Sequence, residues 1–414
     1  MSLRKSISLC ILILALSVSI PTPTRSQTNR SNGVRNHRQN ELIVTLKPGA
    51  SLRDFNARHD THALRQIPGT NIYLLGLPAQ ATANGKLAEL AADSGVASVS
   101  HNFIIQSAEV EQISHGFIDQ ISHGFIDGQS PSSFFSQPTV TNLHLNEAHN
   151  LATGAGVRVA VIDTGIDLNH PLFAGRLASQ MFDLIDGDYA PQDEPGGDGS
   201  GHGTFVAGLI ALTAPQATIM PIRAFGPDGS GTSYIIASAI YLAAAYNARV
   251  INMSFGTSES DPAIEAAMEY ALNTSYTHSY MVAAAGNNNL NQVHYPASDT
   301  SKTLSVTSTA NDDLKASFAN FHSTIQVAAP GVSVYSAYPG GQWAWWSGTS
   351  FSTALASGEA ALLLSVRPNL SRANLNTIIT SAGVNLNSLN PNYVGQLGQV
   401  RIDYLSAVNL ALTY

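Results

Sequence analysis

The sequence predicts an α/β domain, with a mostly parallel sheet carrying helices on both faces, preceded by a small α+β unit. From about Asn142 onward the runs VRVAVID, TIMPIRAF, RVINMSF, YMVAAAGN, LSVTST and IQVAAPG follow one another, each nearly continuous in apolar residues, as strands buried on both faces are. Helical stretches such as SYIIASAIYLAAAYN and AIEAAMEYALN separate several of these runs, which favours parallel connections. Upstream of Asn142 the elements are shorter and their order changes, which marks a separate unit.

The chain has 414 residues, of which 44% are hydrophobic and only 12% charged, enough for two or three domains with a well-buried core. Asp and Glu outnumber Lys and Arg by 28 to 20, giving a net charge of -8, so no phosphate-binding surface and no nucleic-acid partner are expected. Arg4 and Lys5 precede the apolar run ISLCILILALSVSI (7–20), which is short for a membrane span and is followed by PTPTRSQ. Residues 1–26 therefore read as a cleaved secretory signal peptide, with no membrane attachment in the mature form and an extracellular location. The single cysteine, Cys10, lies inside that run, so the mature protein is expected to have no disulfide.

A polar linker, 27–40, leads into the first regular pattern. ELIVTLK alternates as a strand, SLRDFNARHD is amphipathic, THALRQI and NIYLLGL flank the turn PGT, LAELAADSG is helical and VASVSHN is a last strand. The order β-α-β-β-α-β over residues 41–106 is that of a ferredoxin-like unit. Residues 107–138 form a second linker, which contains the octapeptide QISHGFID twice in tandem within 111–128. Each copy holds a Ser, a His and an Asp, but neighbouring Ser and His side chains point apart in an extended segment. A short flexible stretch also cannot hold three groups in attack geometry. The repeat is read as a duplication in a tolerant linker, with additional processing sites as the sharper alternative. The large domain spans 139–414.

Polar residues at strand ends are candidates for chemistry in such a sheet. Asp163 closes the strand in VAVIDTGID, His202 opens a helix in SGHGTFVAGLIAL, Asn287 follows the strand in MVAAAGNNN, and Ser350 begins a helix in WWSGTSFSTALASGEAALLL. Each motif is weak alone, because an Asp at a strand end is commonly a cap or turn residue. Together, in the order Asp, His, Ser and in DTG, HGT and GTS settings, they resemble the subtilisin-like serine proteases, from roughly Leu143 to the end. The terminal VRIDYLSAVNLAL resembles that family's closing segment, and the ferredoxin-like unit resembles its N-terminal inhibitor propeptide.

The resemblance implies a secreted serine endopeptidase made as a self-processing zymogen, with polypeptide substrates and its own propeptide as an intramolecular inhibitor. Asp163, His202 and Ser350 would be the triad, and Asn287 the side-chain donor of the oxyanion hole. Ser254, Phe255 and Gly256 would pair with an extended substrate, and Ala284, Ala285 and Gly286 would form the other wall of the primary specificity pocket. The stretch FIIQSA, Phe103 to Ala108, would be the propeptide tail lying in the cleft like a product. Trp343, Trp345 and Trp346, just ahead of the serine, are read either as cleft lining or as packing. No C-terminal binding or anchoring segment is evident, which favours a freely secreted enzyme.

Two departures from the family pattern stand out. Ala354 occupies a position where the family commonly has proline, and the helix after His202 runs straight into TIMPIRAF without the Asn/Gly-rich insertion of the tight calcium loop. No cofactor is expected, and no metal ligand is assigned. Asp183, Asp186, Asp188, Asp193, Glu194 and Asp198 cluster before His202, however, so weak calcium binding competes there with a plain solvated loop. Two rival functions fit parts of the sequence less well. An aspartic protease would need a second carboxylate motif besides DTG, and none is evident. A catalytically impaired relative that only binds peptides would have no chemical need for all four groups.

Overall fold

Strand β1 (His37–Leu46) opens a six-element unit with α1 (Leu52–His59), β2 (His62–Gln66), β3 (Ile72–Gly76), α2 (Ala83–Ala91) and β4 (Val96–Ser107). The computed structural model describes residues 36–107, 131–273 and 278–414, with the backbone of Phe125 and Ile126. The leader, most of the first linker, Ala108 and the tandem octapeptide lie outside the described residues, apart from that two-residue backbone. The strands run antiparallel in the order β4-β1-β3-β2, the arrangement the β-α-β-β-α-β pattern implies. Leu42, Val44, Phe55, Leu75 and Leu90 fill a small core between sheet and helices. Ser51 and Thr82 cap the two helices by accepting from Asp54 N and Gly85 N.

Strand β1 begins at His37, inside the stretch read as polar linker, because His37 pairs with Phe103 beyond an irregularity in β1 between His37 and Leu42. A polar strand end of this kind carries no hydrophobic alternation to reveal it. The two-residue strand β5 (Phe125–Ile126) follows, and three short helices, α3 (Pro131–Ser136), α4 (Pro138–Asn142) and α5 (Leu145–His149), lead into the large domain. The second linker thus already carries helix from Pro131. Phe134 anchors that helix, fully buried against Trp343.

The large domain is built on β6 (Arg158–Asp163), β7 (Phe182–Asp183), α6 (His202–Thr213), β8 (Thr218–Arg223), β9 (Ser230–Thr232) and α7 (Ser233–Ala245). Next come β10 (Val250–Met253), β11 (Phe255–Gly256), α8 (Pro262–Asn273), β12 (Tyr280–Ala284), β13 (Thr303–Thr309) and β14 (Val327–Pro330). The chain closes with β15 (Val334–Tyr338), β16 (Gln342–Trp346), α9 (Thr349–Val366), α10 (Arg372–Ser381), β17 (Gly383–Asn385), β18 (Val400–Ile402) and α11 (Tyr404–Ala411). The main sheet has the order β17-β18-β14-β13-β12-β10-β6-β8-β7, parallel throughout except for β17 against β18. Alternate residues of β6 enter different cores: Val159 and Val161 meet α6 and α9, while Ala160 and Ile162 meet α7 and α8. Both faces of the sheet are covered, as the apolar runs require.

The three tryptophans lie on the β15–β16 hairpin. Trp343 packs on Phe134 and His170, and Trp346 stands edge-on to His202 and Phe205, with both indoles buried. They serve as packing, and Trp346 backs the His202 ring.

Candidate active site

Asp163 is the last residue of β6 and His202 the first of α6, so the strand end and the helix start bring their side chains together. His202 Nδ1 lies 2.7 Å from Asp163 Oδ1 with both groups nearly inaccessible, and Thr164 N donates to the same carboxylate oxygen at 2.8 Å. A carboxylate acceptor puts the proton on Nδ1 and leaves Nε2 as the ring's basic nitrogen. The start of α6 is further pinned by Gly203 N donating to Thr164 Oγ1 at 3.0 Å.

A residue that sequence reasoning placed only among the acidic cluster has a larger part in this arrangement. Asp193 accepts from Gly201 N at 2.9 Å, Thr204 N at 3.1 Å and Thr204 Oγ1 at 2.6 Å, clamping the turn on which His202 sits. Burial pushes its carboxyl up to about 7, against the Thr204 and Gly201 hydrogen bonds that favour the ionised form. Only its position nine residues ahead of HGT hinted at this, since its partners lie across a turn.

Ser350 is the second residue of α9 and is buried. Its Oγ donates to Ser254 O at 3.2 Å, and Ser254 Oγ donates back to Ser350 O at 3.1 Å. Asn252 Nδ2 donates to Ser254 Oγ at 2.9 Å and is itself held through Ser357 Oγ. Asn287, just past β12, accepts from Thr349 N at 2.8 Å through Oδ1, which fixes its amide plane beside the serine turn. Asn320, which sequence reasoning passed over, braces that loop. It accepts from Asn288 N and Leu290 N and donates to Ala285 O. An Asn in an irregular stretch between strands gives no motif by which to find it.

The segments Ser254–Gly256 and Ala284–Gly286 flank the serine, the first continuing β10 and the second β12. Phe255 is 1% exposed and packs on Phe225, so its side chain belongs to the core, where it lines a shallow surface depression together with Ile105. Strand β4 continues out of the small domain and inserts antiparallel between β9 and β11, in one unit with the large domain. Ile104, Ile105 and Gln106 pair with Thr232, Gly231 and Ser230, while Gln106 and Ser107 pair with Gly256 and Phe255. Asn102 Oδ1 also accepts from Tyr234 N, capping α7.

In the acidic cluster, Arg223 rather than empty space lies among the carboxylates. It donates to Asp183 and Asp186 through Nη1 at 2.8 and 2.6 Å, and to Glu194 through Nη2 at 2.6 Å. Asp193 faces the His202 turn instead. Among the described residues, no group of three or more His, Cys, Asp or Glu side chains is disposed to hold a metal ion, and no helix is long and apolar enough to cross a membrane.

Residues 154–397 match the subtilase family and residues 23–102 the fervidolysin N-terminal prodomain. Thermitase of Thermoactinomyces vulgaris is 39% identical over 229 residues, 53% of this chain and 78% of thermitase. Subtilisin BL of Lederbergia lenta is 32% identical over 262 residues, 61% of this chain and 92% of its own. The crystal structure of fervidolysin from Fervidobacterium pennivorans, described as a keratinolytic enzyme related to subtilisin, superposes with a TM-score of 0.73 at 20% identity. That superposition covers 90% of this chain but only 61% of fervidolysin, and it establishes the shared fold. The chain therefore belongs to the subtilase family of serine endopeptidases and carries a fervidolysin-like N-terminal prodomain.

Proposed function

We propose that this chain is a secreted, self-processing zymogen that hydrolyses peptide bonds through Asp163, His202 and Ser350, with Asn287 in the oxyanion hole. The observation that carries the reading is the joint arrangement of the short Asp163–His202 pair, the Ser350 turn and a prodomain strand threaded toward that serine. A serine hydroxyl is a weak nucleophile at neutral pH, so His202 Nε2 takes its proton during attack on the scissile carbonyl. Asp163 holds the Nδ1–H tautomer and stabilises the imidazolium that results. The carbonyl oxygen gains charge in the tetrahedral intermediate. The Asn287 amide and the Ser350 backbone N–H at the start of α9 are the donors available to it, and the helix dipole adds to their effect. His202 then returns the proton to the leaving amine, and water repeats the sequence on the acyl-enzyme.

Substrate binds by strand addition, in which backbone pairing with β9 and β11 supplies affinity. The prodomain tail uses those hydrogen bonds from Ile104 to Ser107 and so behaves as a bound product. First processing is assigned to the end of that tail, between Ala108 and Glu109. The leader at 1–26 directs export, and no cofactor takes part. Labelling with a fluorophosphonate tests the whole reading. The wild-type enzyme labels and Ser350→Ala does not, whereas an unlabelled wild type would leave a peptide-binding relative. N-terminal sequencing of the mature enzyme should begin at Glu109, and a start near Leu143 or later would rule out primary processing there.

A further inference from the structure

Gly256 and Gly286 lie on the two segments that flank Ser350, and one side chain, His294, fills the space between them. A Cβ added at Gly256 would overlap the His294 ring, and one added at Gly286 would overlap Asn320 Nδ2 and meet the His294 Cδ2 and Cε1 at 3.2 and 3.3 Å. The ring is 2% exposed, and its Nδ1 donates to Ala284 O at 3.0 Å, so it is tethered to one wall of the slot. The pairing of β10 with β12 reaches Met253 opposite Ala283, just short of the two segments. The imidazole therefore occupies the gap in which the two backbones lie side by side without side chains of their own.

That gap is where a substrate side chain has to go. A peptide held in the register of β4 has residues opposite Gly256 and Phe255. Its next residue stands opposite Ser254, whose carbonyl accepts from Ser350 Oγ. The carbonyl of that next residue turns to Ser350 and Asn287, which leaves its side chain the slot between 254–256 and 284–286. We infer that His294 closes this slot to large side chains and restricts the enzyme to Ala, Gly or Ser on the acyl side of the cleaved bond. The inference rests on the catalytic reading above. The residue that follows Ser107 in this chain is Ala108, whose methyl group meets the same restriction.

The test uses the mature enzyme and peptide p-nitroanilides that differ only in the last residue, Ala, Phe, Leu or Glu. Wild type is expected to favour Ala over Phe in kcat/KM, and His294→Gly to raise the Phe-to-Ala ratio by about tenfold or more, the scale at which pocket volume discriminates. A wild type that prefers Phe, Leu or Glu overturns the inference, and so does an unchanged ratio in a folded His294→Gly enzyme. Should that variant not fold, the wild-type ratios alone decide. Fluorophosphonate labelling separates the two levels. An enzyme that labels but shows no preference for small residues removes the role of His294 and leaves the triad, whereas an enzyme that does not label removes both.

Discussion

Glu359 offers a quantitative test of how this interior was built. It lies in α9, nine residues past Ser350 and fully buried, and neither carboxyl oxygen has a hydrogen-bond partner. Burial drives its pKa well above 4.5, the neighbouring Asp403 adds to the rise, and Arg401 opposes it. Arg401 gives no direct pairing, because its guanidinium is engaged with Asp313 and with the carbonyls of Asn142 and Ile402. The nearby hydroxyls of Tyr280 and Tyr404 donate to Asn376 and to Leu355 O. The folded protein thus holds the Glu359 proton to higher pH than the unfolded chain, which ionises it above about pH 4.5. A raised acid pKa leaves stability untouched below that pH and removes it as pH rises, by about 1.4 kcal/mol per pH unit for as long as the folded state holds its proton. The slope applies over the part of the interval between pH 5.5 and 7.5 that lies below the raised folded-state pKa. Glu359→Gln keeps the shape and abolishes the titration, so the stability of the variant relative to the parent should rise with pH over the interval, at no more than that slope. Urea unfolding of Ser350→Ala and of Ser350→Ala with Glu359→Gln, at both pH values, measures it without autolysis. A difference that stays constant with pH would mean that the carboxyl is ionised in the folded state, and would refute the reasoning.

Removing the Asn287 amide in Asn287→Ala should lower turnover by roughly 10²–10³ with little change in KM, a precedent taken from the same type of residue in subtilisin, and near-normal turnover would deny it the oxyanion role. Arg223→Met should cost about 3–5 kcal/mol in urea unfolding, because Asp183 is left buried without its counter-charge. In the parent, calcium and chelator should leave the unfolding temperature where it is, and a shift would return the acidic cluster to metal binding. Asn102→Ala, placed in full-length Ser350→Ala, should destabilise by about 1 kcal/mol through loss of the cap on α7, and an unchanged midpoint would remove that contact from the account.

The apolar runs located the parallel strands because strands buried on both faces need hydrophobic residues at nearly every position, as in Arg158–Asp163 and Tyr280–Ala284. The candidate residues were legible for a related reason. Strand ends and helix starts carry local signatures, and Asp163, His202, Asn287 and Ser350 each sit at one. Contacts that span the sequence left no such trace. Arg223 reads as an ordinary residue at the end of a strand, and only the fold brings Asp183, Asp186 and Glu194 onto it. Asp193 and Asn320 are polar residues in irregular stretches, and what they hold is known only once the turns are in place. His294, in the run VHYPAS, was not singled out, because nothing in its neighbourhood reveals that its ring ends between two distant glycines.

On the proposed reading, cutting the chain does not by itself free the site. Strand β4 is continuous. Its first part pairs with β1 inside the prodomain sheet, and its last residues pair with β9 and β11 in the cleft. Hydrolysis after Ala108 removes a covalent bond but none of those hydrogen bonds, and the folded prodomain still presents the tail in its bound conformation, with little ordering entropy left to lose. Tail residues Ile105 and Ser107 are each 2% exposed, and Asn102 still caps α7, so dissociation must re-expose all of them together. The weak point is the prodomain's own core, a single thin layer around Leu42, Val44, Phe55, Leu75 and Leu90, of a size that is only marginally stable in isolation. Once that layer unfolds, the tail becomes an ordinary flexible peptide that must pay for its own ordering on each return. On that reading activation is limited by loss of the prodomain fold rather than by the first cut, and that loss also withdraws Ile43, Ile67, Ile72 and Leu74 from the core they share with α7 and α8 of the large domain.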